Sequence, residues 1–187
     1  MTTTETNGHH KSRLNPLGAA IRTETASDHA GIRDVLVASF ATKAEAKLVD
    51  ALRASEYHVP ELSLVAEHEG RVVGHVLFSR LPVRVKVLYV QALALAPLAV
   101  HPDFQQRGVG SALVEHGMAI ARKKNFPFVV VVGDPRYYVR FGFKLARPAL
   151  EANLDFPFEV FQAAELRPGS LSGLQGRVEY PAVFEGV

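Results

Sequence analysis

Cysteine is absent from this 187-residue chain. Its absence excludes disulfides, thiolate metal sites and covalent catalysis through a cysteine nucleophile, and it leaves the compartment open. Long apolar runs are missing as well. Gln91 interrupts the best candidate, and Pro97 and His101 follow soon after, so no stretch reaches the roughly 18 residues that span a bilayer. The first 19 residues carry no apolar h-region, so no secretory signal is expected; His9, His10, Lys11 and Arg13 are expected to decorate a mobile tail rather than form a metal site. An excess of one charge is lacking too, because 21 Lys+Arg against 19 Asp+Glu leave only +2 despite a pI near 9. The longest cationic run is Arg122-Lys123-Lys124, so neither nucleic acid nor a membrane is expected as a partner.

What is present is globular: 48% hydrophobic and 21% charged residues supply a substantial core. We expect a disordered tail over residues 1–19, one domain over 20–187, and a cytoplasmic protein without a metal, as monomer or homodimer. Ile21–Thr25 reads as a strand, and Thr25, Ser27 and Asp28 are candidate caps for a helix carrying Ile32, Val35, Leu36 and Phe40 at helical spacing. A second amphipathic stretch buries Leu48, Ala51 and Leu52. Residues 62–67 and 71–81 read as a hairpin turning at Glu69-Gly70, and 89–100 as a strand covered on both faces. Pro97 cannot donate to a ladder, so it belongs at a bulge or where neighbouring strands part.

A third helix spans 108–124, with Gly117 either packed closely on the sheet or merely tolerated, and 128–132 is a second buried strand. Strand, helix and strand in that order predict a right-handed parallel crossover. Gly133-Asp134-Pro135 opens a short helix that Phe141-Gly142-Phe143 closes before another strand. Later strands are read at 158–166 and 177–184.

The chemistry concentrates at the start of the third helix. In RGVGS, residues 107–111, two glycines clear side chains from a helix N-terminus, so consecutive backbone N–H groups converge on an anion with Arg107 beside them. No Walker loop or dinucleotide fingerprint is present. A nucleotide or nucleic-acid binder using the same helix mouth is a rival reading.

Gln105, Gly108 and Gly110 after LAPLAV, together with the VVVVGDP strand end and YYVRFGF, resemble the GCN5-related N-acetyltransferase (GNAT) superfamily, particularly its YhbS-like branch. The likeness extends from about Ile21 to Phe184. It implies an α/β (α+β) GNAT fold: a mixed, mostly antiparallel twisted sheet of six to seven strands, splayed between the fourth and fifth and flanked by about four helices. It further implies acetyl-CoA as co-substrate in that splay, held by backbone groups of Leu98, Ala99 and Val100 and by Gln105, Gln106, Arg107, Gly108, Val109, Gly110 and Ser111, with Asp134 and Tyr138 facing it. The Val100 N–H would stabilise the oxyanion, and Tyr138, four residues before Gly142, would protonate the leaving thiolate. Tyr137, about 100° away on a helix, would then face elsewhere.

Many relatives carry a glutamate on the fourth strand, whereas residues 89–100 contain no carboxylate. Glu61, His75 and Asp134 are substitutes for a general base, although His75 fits a packed core residue and Asp134 a helix cap. Acceptor recognition in the superfamily maps to residues 38–61 and 147–159, which hold Phe40, Lys43, Glu45, Tyr57, His58 and Glu61, then Glu151, Asp155 and Phe158. Direct acetyl transfer to an amine of a small molecule or protein is the leading expectation, and a non-catalytic acyl-CoA sensor is the alternative.

Overall fold

Strands buried on both faces form the centre of one nine-stranded sheet in a computed structural model that describes residues 15–186. The strands are β1 (Ala20–Thr23), β2 (Ser63–His68), β3 (Arg71–Val85), β4 (Leu88–Val100), β5 (Phe128–Val132), β6 (Lys144–Leu145), β7 (Leu150–Ala152), β8 (Phe161–Glu165) and β9 (Gly176–Val178). Their order is β1-β2-β3-β4-β5-β8-β6, with β9 against β3 and β7 against β9. Pairing is antiparallel except for β4 with β5 and β7 with β9. This is the mixed, mostly antiparallel sheet that the resemblance implies, with nine strands in place of six to seven. Three of them are only two or three residues long, too short to leave a periodic signature. The strand expected over 177–184 stops at Val178, and Ala182–Phe184 forms a 3₁₀ turn.

Four helices flank the sheet: α1 (His29–Ser39), α2 (Ala44–Arg53), α3 (Val109–Lys123) and α4 (Pro135–Tyr138). Ile32, Leu36, Leu48 and Leu52 of α1 and α2 bury against Val65, Leu77 and Leu81 on one face. Leu113, Val114 and Met118 of α3 bury against Val76, Phe78 and Leu93 on the other. Gly117 settles in favour of close packing, since a Cβ there would lie 2.2 Å from Cε2 of Phe78. No helix among the described residues is long and apolar enough to cross a membrane.

Two carboxylates near α1 and α2 are held by arginines. Glu24 accepts two bonds from the Arg53 guanidinium, at 2.7 and 3.0 Å, with both side chains largely buried. Arg22 grips Asp28 through two 2.7 Å bonds, and Asp28 also accepts from the Thr25 N–H at the start of the 3₁₀ turn leading into α1. That guanidinium holds the Asp28 carboxyl well below the usual carboxylate range.

The tail expected over 1–19 falls partly outside the described residues, which exclude 1–14 and with them His9 and His10. Its last part is built into the protein. The Asn15 side chain is buried and exchanges hydrogen bonds with the backbone of Ala19, closing a turn that sets Pro16 against Gly108.

Candidate active site

Two rungs hold β4 to β5, Leu93 with Val129 and Ala94 with Val130, and from Leu95 onward β4 continues to Val100 without its neighbour. Where the strands part, β3 and β4 slip register between Val76 and Phe78, so that Ala96 and Pro97 stand opposite Leu77 alone. This is the bulge and the divergence that a proline in a covered strand requires.

The phase of the ladder decides which backbone groups face the gap. The His101 N–H donates to the Val73 carbonyl at 2.9 Å, making that pair hydrogen-bonded, so the next pair, Gly74 with Val100, is not. Val100, and Leu98 two residues earlier, therefore point N–H and C=O away from β3 and toward the side that β5 has left. Ala99 does the reverse, turning its backbone groups into β3 opposite His75. The Val100 carbonyl is already occupied by the Ser39 hydroxyl and the Gln105 side-chain amide, each at 3.0 Å. Its N–H is left facing the gap.

After β4 the chain turns through Pro102–Phe104 and reverses at Gln106 and Gly108, with φ of 59° and 75°. Gly108 is the N-cap of α3 and no side chain caps that end, so the N–H groups of the first turn are free for an outside acceptor. A Cβ at Gly110 would fall 2.6 Å from the Tyr137 hydroxyl, so a larger residue there would displace that ring. Arg107 lies 5.9 Å above the Phe104 ring, with Arg71 5.8 Å from the same ring, giving the turn a cationic rim.

A cavity of about 900 Å³ runs from this turn through the gap between β4 and β5 to the face covered by α1 and α2. Of the residues expected to hold the coenzyme, Leu98, Val100, Gln105, Gln106, Gly108, Val109, Gly110, Ser111, Asp134 and Tyr138 line it. Ala99 and Arg107 do not. Ala99 is turned into β3, and Arg107 reaches outward over Phe104.

Both tyrosines of α4 line the cavity, against the expectation that Tyr137 turns elsewhere. The helix is a single turn, with the two rings edge-to-face at 5.0 Å. Tyr138 sinks against β5 because position 133 is glycine, where a Cβ would lie 2.5 Å from its ring, and Phe143 supports its other side. Burial raises the Tyr138 hydroxyl well above the usual phenol range, so it keeps its proton near neutral pH. Burial raises Tyr137 as well, offset in part by the Ser111 hydroxyl.

The basic candidates fare differently. Glu61 is ion-paired with Lys124 at 2.7 Å, beyond the last turn of α3, opposite the end that meets the cavity. His75 is wholly buried on the α1/α2 side of β3, its Nδ1 3.1 Å from the Leu64 carbonyl, and it does not line the cavity. Asp134 lines it, but its carboxylate caps α4 through the Arg136 N–H and pairs with the Arg136 guanidinium. Among the acceptor residues expected in the first two helices, Phe40 and Glu45 line the cavity, whereas Lys43, Tyr57 and His58 do not. Glu151, Asp155 and Phe158 lie outside it too; Leu154, Phe156, Tyr180 and Phe184 form the wall instead.

The profile of the acetyltransferase (GNAT) family matches residues 29–143, spanning α1, the open strand, the helix mouth and both tyrosines. The chain belongs to the GNAT family. This GNAT chain is 39% identical over 166 residues to an Escherichia coli protein described as the uncharacterized N-acetyltransferase YhbS, covering 88% of the chain and 97% of that protein. It is similar to the crystal structure of E. coli YhbS in complex with CoA, with TM-score 0.81, 38% identity and coverage of 91% of this chain and 92% of that one. A GNAT acetyltransferase from Brucella melitensis in complex with acetyl-CoA has TM-score 0.72 and 34% identity, over 89% of this chain and 98% of that one.

Proposed function

We propose that this protein transfers an acetyl group from acetyl-CoA directly to a primary amine in a ternary complex. The observation that carries the reading is the unpaired edge of β4 running into the uncapped N-terminus of α3. A pantetheine arm can pair with the first as an added strand, and a pyrophosphate can accept from the second. Related structures in complex with CoA and acetyl-CoA support the same occupant.

In this reading the N–H groups of Gly108 to Ser111 hold the pyrophosphate, and Leu98 and Val100 fix the arm. The Val100 N–H, aimed into the gap, stabilises negative charge as it develops on the thioester oxygen. The acceptor arrives as an ammonium with a pKa of about 10.4 and gives one proton to solvent before attack. Its nitrogen then bonds to the acetyl carbon as the C–S bond breaks. Tyr138 gives its proton to the departing sulfur, and the surplus proton on nitrogen restores the phenol through solvent. Ser39 and Gln105 hold the Val100 peptide in orientation by occupying its carbonyl.

A non-catalytic acyl-CoA sensor is the second reading, favoured by the lack of any carboxylate in β4. Mixing the protein with acetyl-CoA and a panel of amines while following free thiol separates the two. Saturable, amine-dependent thiol release supports transfer. Tight acetyl-CoA binding without release supports the sensor.

A further inference from the structure

Resting on the acetyl-transfer reading, we propose that the acceptor is a primary amine with an apolar, aryl or alkyl body, its ammonium held by Glu45 of α2. Three charged side chains line the cavity: Glu45, Asp134 and Arg140. Asp134 is bonded to Arg136, and Arg140 donates to the Tyr137 carbonyl while stacking on its ring. Glu45 differs. Its Oε2 is shut away from solvent and has no hydrogen-bond partner among the described residues. Glu45 thus brings to an apolar cavity a carboxylate that no cation of the described residues pairs, and an ammonium entering the cavity supplies N–H donors and the opposite charge.

The surroundings fix the rest of the ligand. Phe40, just after α1, and Leu48 of α2 line the cavity with Glu45, and Leu154, Phe156, Tyr180 and Phe184 complete its apolar wall. The aromatic members interlock, Tyr180 edge-to-face with Phe156 at 5.5 Å and with Phe184 at 5.1 Å. These six side chains offer carbon surface and no second counter-charge. A polyamine or a free amino acid would leave a charge against that wall, whereas an arylalkyl amine would bury its body there.

Calorimetry in saturating CoA tests this with 2-phenylethylamine, its neutral counterpart 2-phenylethanol, and spermidine. The expected result is that the wild-type protein binds 2-phenylethylamine at least about ten-fold more tightly than either other ligand, and that Glu45→Gln loses that advantage. The comparison of amine with alcohol on wild-type protein stands even if the variant misfolds. Equal affinity for amine and alcohol, tighter spermidine binding, no change in Glu45→Gln, or no amine binding at all would overturn the proposal. Free thiol from acetyl-CoA is followed in parallel. Glu45-dependent binding without thiol release sinks the transfer reading and leaves only the amine-binding subsite at Glu45. Release indifferent to Glu45 does the opposite.

Discussion

The Gln105 side-chain amide donates a 3.0 Å hydrogen bond to the Val100 carbonyl, tying the turn before α3 to the last residue of the open strand. One bond joins the two surfaces proposed to hold opposite ends of the coenzyme. Gln105→Ala leaves the carbonyl bonded to Ser39 alone, and a neutral hydrogen bond contributes about 1 kcal/mol net. The expected outcome is acetyl-CoA binding weakened about five-fold by calorimetry. Unchanged affinity would show that the link is incidental.

Tyr138→Phe removes the proposed proton donor while keeping the ring that packs against Gly133 and Phe143. Amine-dependent thiol release is expected to fall at least about 100-fold in kcat, with acetyl-CoA affinity within about two-fold of wild type. If the variant turns over normally, Tyr138 only packs.

Gly117→Ala forces a methyl group against Phe78 in a filled core. Overpacking of this kind costs about 1–3 kcal/mol, so the thermal midpoint should drop by several degrees without loss of acetyl-CoA binding. A midpoint at or above that of the wild-type protein contradicts the packing described.

His75 makes stability depend on mild acid. Burial lowers its pKa to about 4, partly countered by Glu24, while Arg53 and His29 push in the same direction as burial. An unfolded histidine has a pKa of about 6.5, so between those values the unfolded chain takes up a proton that the folded chain refuses. The neutral-histidine contribution is therefore whole above the unfolded value and lost as pH falls toward about 4, up to about 3 kcal/mol. Urea unfolding at pH 7.5 and 5 should show the native state weakening on acidification. A His75→Gln variant should weaken less.

The residues that a backbone demands were legible in the sequence. Gly108 stands at a reversed turn and Gly110 where a Cβ would displace the Tyr137 ring, and Pro97 marks the bulge beside the parted strands. Depth and direction were not legible. His75 and Glu61 are plausible bases by residue type, yet one faces the helical layer beneath α1 and α2 and the other the remote end of α3. Helical geometry turns Tyr137 away from Tyr138, but α4 is a single turn and both of its tyrosines line the cavity. The wall of Phe156, Tyr180 and Phe184 comes from segments with no regular period, brought together only by tertiary contact.

In the proposed complex the coenzyme binds to bare main chain at two places: the Val100 edge of β4 and the first turn of α3. Residue-resolved amide hydrogen exchange by NMR, with and without acetyl-CoA, reads those groups one at a time. The expected result is new protection at Val100 and at Gly108 to Ser111, with none on addition of ATP. Acetyl-CoA binding that leaves those amides exchanging as before, or protects a different surface, would contradict it.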